Sequence, residues 1–137
     1  MAHQGRSPVT YGFSTAAVVT KDTFVQLDSS ECTDVLTAVE PAGAGAVIFG
    51  IASTTSVAGG SASVHTIEGS VVLLTVDGNA GAISVGSKLK ADGSAQGVAT
   101  TTDDEEVGAI ALAASTTAGE KIPVMLTRYT LSGAGDD

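Results

Sequence analysis

The feature that most constrains this chain is a degenerate internal repeat. Residues 49–67 read FGIASTTSVAGGSASVHTI, and residues 107–127 read VGAIALAASTTAGEKIPVMLT. Each has an apolar residue and a glycine, a run of small apolar residues, Ser-Thr-Thr, Ala-Gly, and then an alternating segment. Ala58-Gly59 aligns with Ala118-Gly119, and Gly50 with Gly108 once two residues of loop are allowed. A second echo precedes each: VVTKDTFVQLDSS (18–30) matches ISVGSKLKADGSA (83–95) with a one-residue slip. Repetition of a pattern implies repetition of a conformation. The expected architecture is therefore two copies of one β unit, roughly residues 18–75 and 83–131.

The repeat decides an ambiguous segment. VGAIALAAS (107–115) has helix-favouring residues, yet an isolated helix that short is marginal. Its counterpart contains Val47, Ile48, Phe49 and Ile51, a β-rich set, so a strand is expected in both. Other segments agree. FVQL, SASVH and SVVLLTV have strand patterning, and Asp77-Gly78 and Asp92-Gly93 mark turns, the second inside a hairpin. Pro123 within KIPVMLTRYTL suggests an edge strand or a bulge. A short helix in SSECTDVLTAV is an open alternative.

Composition fits this reading. Hydrophobic residues make up 43% of 137 residues, enough for a core, but aromatics are only 4%, so Val, Ile, Leu and Ala must build it. Net charge is −9, which disfavours nucleic acid as a partner. Residues 1–21 carry only Arg6 and Lys21 (+2), leaving four bases and fifteen acids (−11) for the rest. A cationic arm, residues 1–17, is expected to precede an acidic β domain, 18–131, with a flexible acidic tail at 132–137. No apolar run approaches the roughly 20 residues that cross a bilayer. MAHQGRSPVTYGF lacks a signal-peptide apolar region, so synthesis in a cytoplasm is expected. Cys32 is the single cysteine, so no internal disulfide forms.

Candidate chemistry is sparse. Asp103-Asp104-Glu105-Glu106 looks like a cation site. Consecutive side chains on an extended chain diverge, however, and a calcium loop needs converging oxygens, so a solvated turn is expected. His3 and His65 are too few for zinc. No nucleophile elbow or phosphate loop is present. Lys88 and Lys90 flank Leu89 near the hairpin, as in a biotinyl or lipoyl domain, but Asp92-Gly93 holds the turn where the modified lysine belongs. Neither a catalytic residue, a cofactor nor a metal is expected.

FVQLDSS, IFGIAST and SASVHTIEGSVVL in the first copy, with SVGSKLKADGSAQGVA and VGAIALAASTTAGEKIPVML in the second, resemble the head-decoration, or capsid cement, proteins of tailed phages. The resemblance covers roughly residues 15–130. It implies an all-β, barrel-like body on the outer face of a capsid. It also implies contact with the major capsid protein, assembly as a homotrimer, an N-terminal arm on the shell, no catalytic residues and a place in the virion. The residues expected to bind capsid or neighbour are Arg6, Ser7, Pro8, Val9, Thr10, Tyr11 and Phe13. Tyr11 and Phe13 share one side of an extended chain and suit an interface. The alternative reading is a β-sandwich glycan-binding or adhesion module, for which exposed aromatics are few.

Overall fold

The computed structural model describes residues 9–28 and 37–132. These hold ten strands and no helix: β1 (Thr10–Thr15), β2 (Phe24–Leu27), β3 (Ala38–Pro41), β4 (Gly50–Ala52), β5 (Ser61–His65), β6 (Val71–Asp77), β7 (Lys88–Ala91), β8 (Gly97–Ala99), β9 (Glu106–Ala111) and β10 (Ala118–Thr130). They close into two five-stranded barrels, ordered β1-β3-β2-β4-β5 and β10-β6-β8-β7-β9. VGAIA is strand β9, as the repeat predicts, and Cys32 and most of SSECTDVLTAV lie outside the described residues.

The barrels repeat one another down to register. In each, the first strand pairs in parallel with the third and antiparallel with the fifth, and the other pairs are antiparallel. Val25 opposite Pro41 corresponds to Leu89 opposite Ala99, and Ile51 opposite His65 to Ile110 opposite Met125. The single bridge Val19 to Ser56 recurs as Ile83 to Ser115. Gly59 and Gly119, aligned in the sequence, both take left-handed backbone, with φ +80 and +79 at the turn into the fifth strand.

Register also corrects the expected repeat. The halves run from β1 to β5 and from β6 to β10, not over 18–75 and 83–131. Residues 10–15, expected in the arm, form the first strand of the first barrel, and 71–77 are their counterpart. TYGFST and VVLLTVD share only alternation, so the match is invisible in letters. Gly50 corresponds to Ala109, and Ser56 rather than Ser53 to Ser115. Small residues tolerate a slip of one to three positions in alignment, whereas ladder hydrogen bonds do not. Pro123 is not at an edge, for β10 is paired on both sides. Its carbonyl accepts the Leu112 amide, so its own nitrogen faces the same way, just past the end of β9 where the ladder stops. The two bulges of β10 lie elsewhere, between Ala118 and Glu120 and between Leu126 and Tyr129.

The first barrel is filled by Val19, Val25, Val39, Ala52, Ala62 and Val64. The second shares its core with the first: Phe24, Ile48 and Ile51 join Leu74, Leu89, Val124 and Leu126 in one buried cluster. Backbone bonds stitch the junction. Phe24 donates to the Ala95 carbonyl (2.9 Å), Gly45 to Ala91 (3.0 Å) and Thr75 to Asp22 (2.7 Å). The Asp22 carboxylate accepts from Lys121 (3.0 Å). Arg128 spans the junction, donating to Glu68 and to the carbonyls of Phe49 and Thr66. Arg128→Ala is expected to lower stability by about 1–3 kcal/mol in chemical denaturation, because two carbonyls and a carboxylate lose a charged donor. Arg128→Lys should not restore it, since an ammonium cannot reproduce the guanidinium fork.

Candidate interaction mouth

Pairing directions set one mouth of each barrel. In the first, β1, β3 and β4 begin there while β2 and β5 end; in the second, β6, β8 and β9 begin while β7 and β10 end. The second mouth is stoppered by the first barrel. Ala91 and Ala95 there accept amides from Gly45 and Phe24, and a Cβ on Gly108 would stand 2.7 Å from Phe24 Cε1 and 2.8 Å from Ile48 Cγ1. Glycine at 108 is therefore what lets the ring and the isoleucine seat.

Among the described residues the first mouth has no such cover. Tyr11 is 51% exposed while its counterpart Val72 is 8%, and Leu27 is 46% exposed while Ala91 is 1%. Phe49 occupies the position matching Gly108 and meets Phe13 edge-on, with ring centroids 5.0 Å apart. Phe13 and Phe49 are partly buried against the first core. Gln26, Leu27, Val47, Ile48 and Phe49 line a groove of about 300 Å³. Glu40 accepts from Gln26, whose carbonyl oxygen accepts the Gly43 amide, which fixes one rim of the groove.

Of the residues expected to bind, Val9, Thr10 and Tyr11 are exposed at this mouth, and Phe13 is half-buried behind them. Arg6, Ser7 and Pro8 lie outside the described residues and lead into Val9. Leu27, Val47 and Phe49 were not expected there. Val47 and Phe49 read as part of a continuous buried strand, yet β4 begins only at Gly50 and Val47 is exposed. The signal that could have found them is the repeat itself, because Val47 stands where the second copy has an acid, Glu106.

His65, on β5 opposite Thr10, has a buried Nδ1 without a hydrogen-bond partner among the described residues. Burial pushes its pKa below the ordinary 6.5, against the opposing pull of the Val9 backbone and the Asp22 charge. The folded state therefore binds this proton less readily than the unfolded state. His65's contribution is complete above its ordinary value and is lost as pH falls from there through the lowered folded-state pKa. The melting temperature is expected to fall as pH drops below the ordinary 6.5, and less so in His65→Gln.

The four-acid run does not converge. Asp103 and Asp104 make an exposed turn, with Asp104 at φ +67. Glu105 turns to Lys90 and Thr100, which hold its carboxyl below the usual range. Glu106 opens β9 and accepts from Thr130. Among the described residues no group of three or more metal-ligating side chains forms. Lys90 is thus engaged by Glu105, and Lys88 sits on a strand rather than in the hairpin turn.

The described residues thus form a two-barrel β scaffold with one mouth sealed internally and the other apolar and exposed. This chain belongs to the phage cement protein family, whose model matches residues 2–126. The fold is similar to the head fiber gp8.5 N base of bacteriophage phi29, with a TM-score of 0.69 and 15% identity over 91% of this chain and 98% of that one. No curated protein matches this chain.

Proposed function

We propose that this protein is a structural virion component that binds the outer surface of a phage capsid and cements the shell by bridging major capsid protein subunits. The observation that carries the site is the contrast between the two mouths. One fold is used twice. In the second copy Val72, Ala91 and Gly108 lie buried, and in the first their counterparts Tyr11 and Leu27 are turned to solvent, with Val9 and Val47 exposed beside them and Phe49 partly so. Membership of the phage cement family supports a capsid as the surface that covers it. The mechanism is burial. Apolar area removed from water contributes about 25 cal/mol per Å², less the cost of association. Arg6, Ser7 and Pro8 extend the contact along the shell, with Arg6 opposite capsid carboxylates. A homotrimer would let one particle hold three sites together.

Deletion of residues 1–8 tests the arm. A longer deletion through residue 15 would remove β1 and open the first barrel. Affinity of the shortened protein for mature, unoccupied shells is expected to fall about 10-fold or more with an unchanged melting temperature. Unchanged affinity would remove residues 1–8 from the contact.

A further inference from the structure

We propose that the outer wall of the second barrel, made by β6, β10 and β9, is the contact surface for a second copy of this chain. Alternate residues of these strands fill the core, so those between them face outward. The register sets six apolar ones together. Val71 lies opposite Met125, and Met125 opposite Ile110. Leu73 lies opposite Pro123, whose carbonyl accepts the Leu112 amide at 3.0 Å. Val71, Leu73, Leu112 and Pro123 are exposed, and Ile110 and Met125 are partly so. A contiguous apolar patch of this kind marks an interaction site more often than scattered apolar residues do.

The first barrel supplies an internal control. Its matching wall carries Thr10, His65, Ile51, Gly12, Ser63 and Ser53, and the Ser53 amide bonds the Ser63 carbonyl as Leu112 bonds Pro123. The backbone is the same, and the only bulky apolar residue among these six, Ile51, is buried in the core shared with the second barrel. The strand geometry therefore does not call for bulk on this wall. The second barrel has it for another reason.

Two observations favour a second copy as the occupant. The stripe is continuous with an existing barrel-to-barrel contact, for Gly108, two residues before Ile110 on β9, already lies beneath Phe24 and Ile48 of the first barrel. Of the matching positions in the first barrel, Ile51, the counterpart of Ile110, is laid against the second barrel together with its register partner Phe24, so this face of the fold can seat on another such barrel. Charge agrees. The six residues include no acid. Lys88, paired in register with Ile110, is exposed and makes no ion pair among the described residues. A chain with net charge −9 offers carboxylates to meet it.

This inference rests on the proposal that the protein acts as a self-assembled particle, and it is tested without shells. The full chain is run through size-exclusion chromatography with light scattering over a concentration series. The wild type is expected at a multiple of 13.4 kDa. Leu73→Glu is expected to raise the concentration for half-assembly at least about 100-fold, because a carboxylate then enters an apolar contact. Its melting temperature, read on the dilute monomers, should match the wild type's. Ser63→Glu, on the matching wall of the first barrel, is expected to assemble normally. A wild type that is monomeric throughout overturns the proposal, as does a Leu73→Glu protein that assembles like the wild type. If the wild type is monomeric and Leu73→Glu loses shell binding, this wall faces the capsid instead and the self-contact is wrong, while shell binding itself stands.

Discussion

Phe24→Ala is expected to destabilise the protein by about 3–5 kcal/mol, the largest single loss in the molecule. Phe24 is fully buried, and it belongs to the core of a barrel other than its own. Truncation would open a cavity over Gly108, where the Phe24 ring seats beside Ile48. Thermal unfolding should fall by on the order of 10–20 °C. Gly108→Val should do comparable damage from the other side, since its Cβ alone would sit 2.7 Å from Phe24 Cε1 and 2.8 Å from Ile48 Cγ1. Phe13→Ala is the comparison. Phe13 is half-buried at an open mouth and stacks on a partly buried Phe49, so about 1–2 kcal/mol is expected. If Phe24→Ala costs no more than Phe13→Ala, the first barrel does not act as the stopper of the second.

The second large effect is on binding. Leu27→Asp combined with Val47→Asp is expected to weaken attachment to shells at least about 100-fold, with little change in melting temperature. Both side chains are exposed, so the charges cost nothing in the free protein. On the shell they would be buried without partners, in the groove where an apolar surface has to seat. Val57→Asp, equally solvent-exposed but at the opposite end of the first barrel, should bind as the wild type does. Co-sedimentation with purified shells, followed by competition, measures the ratio. Equal loss for all variants would point to general charge repulsion, and full binding by the double variant would take the mouth out of the contact.

Much of the fold was legible in particular residues. The alternation of Ala62 and Val64, and of Ile122 and Val124, named the buried face of the fifth strand in both copies, because period-two burial is a local property of an extended chain. Asp92-Gly93 named the β7–β8 hairpin. The likeness of FGIAS to VGAIALAAS turned an apparent helix into a strand. The start of each copy was not legible. TYGFST reads as a leader because its barrel leaves Tyr11 uncovered, and VVLLTVD reads as a core strand because its barrel is covered. Of the candidate site, Val9, Tyr11 and Phe13 could be picked out as an apolar, aromatic segment. Leu27, Val47 and Phe49 could not, since residues 27 and 47 come together only where the end of β2 runs beside the entry to β4.

By itself, then, the sequence determined the strand class, the duplication and the character of the surface. A chain with few long helix formers, recurrent Gly turns and period-two apolar runs has no other compact solution, and its acids diverge along an extended backbone whatever the topology. Only the tertiary structure decided which of two equivalent mouths is sealed. That choice rests on Phe24 where the other copy has Lys88, on Gly108 where the other has Phe49, and on AGAGAV where the other has DDEE in its turn and strand entry. These are contacts between residues distant in the chain, and no local pattern contains them. An aromatic ring can enter a neighbouring core only where a missing side chain leaves it room, and the acidic loop, solvated by its own charge, stays outside.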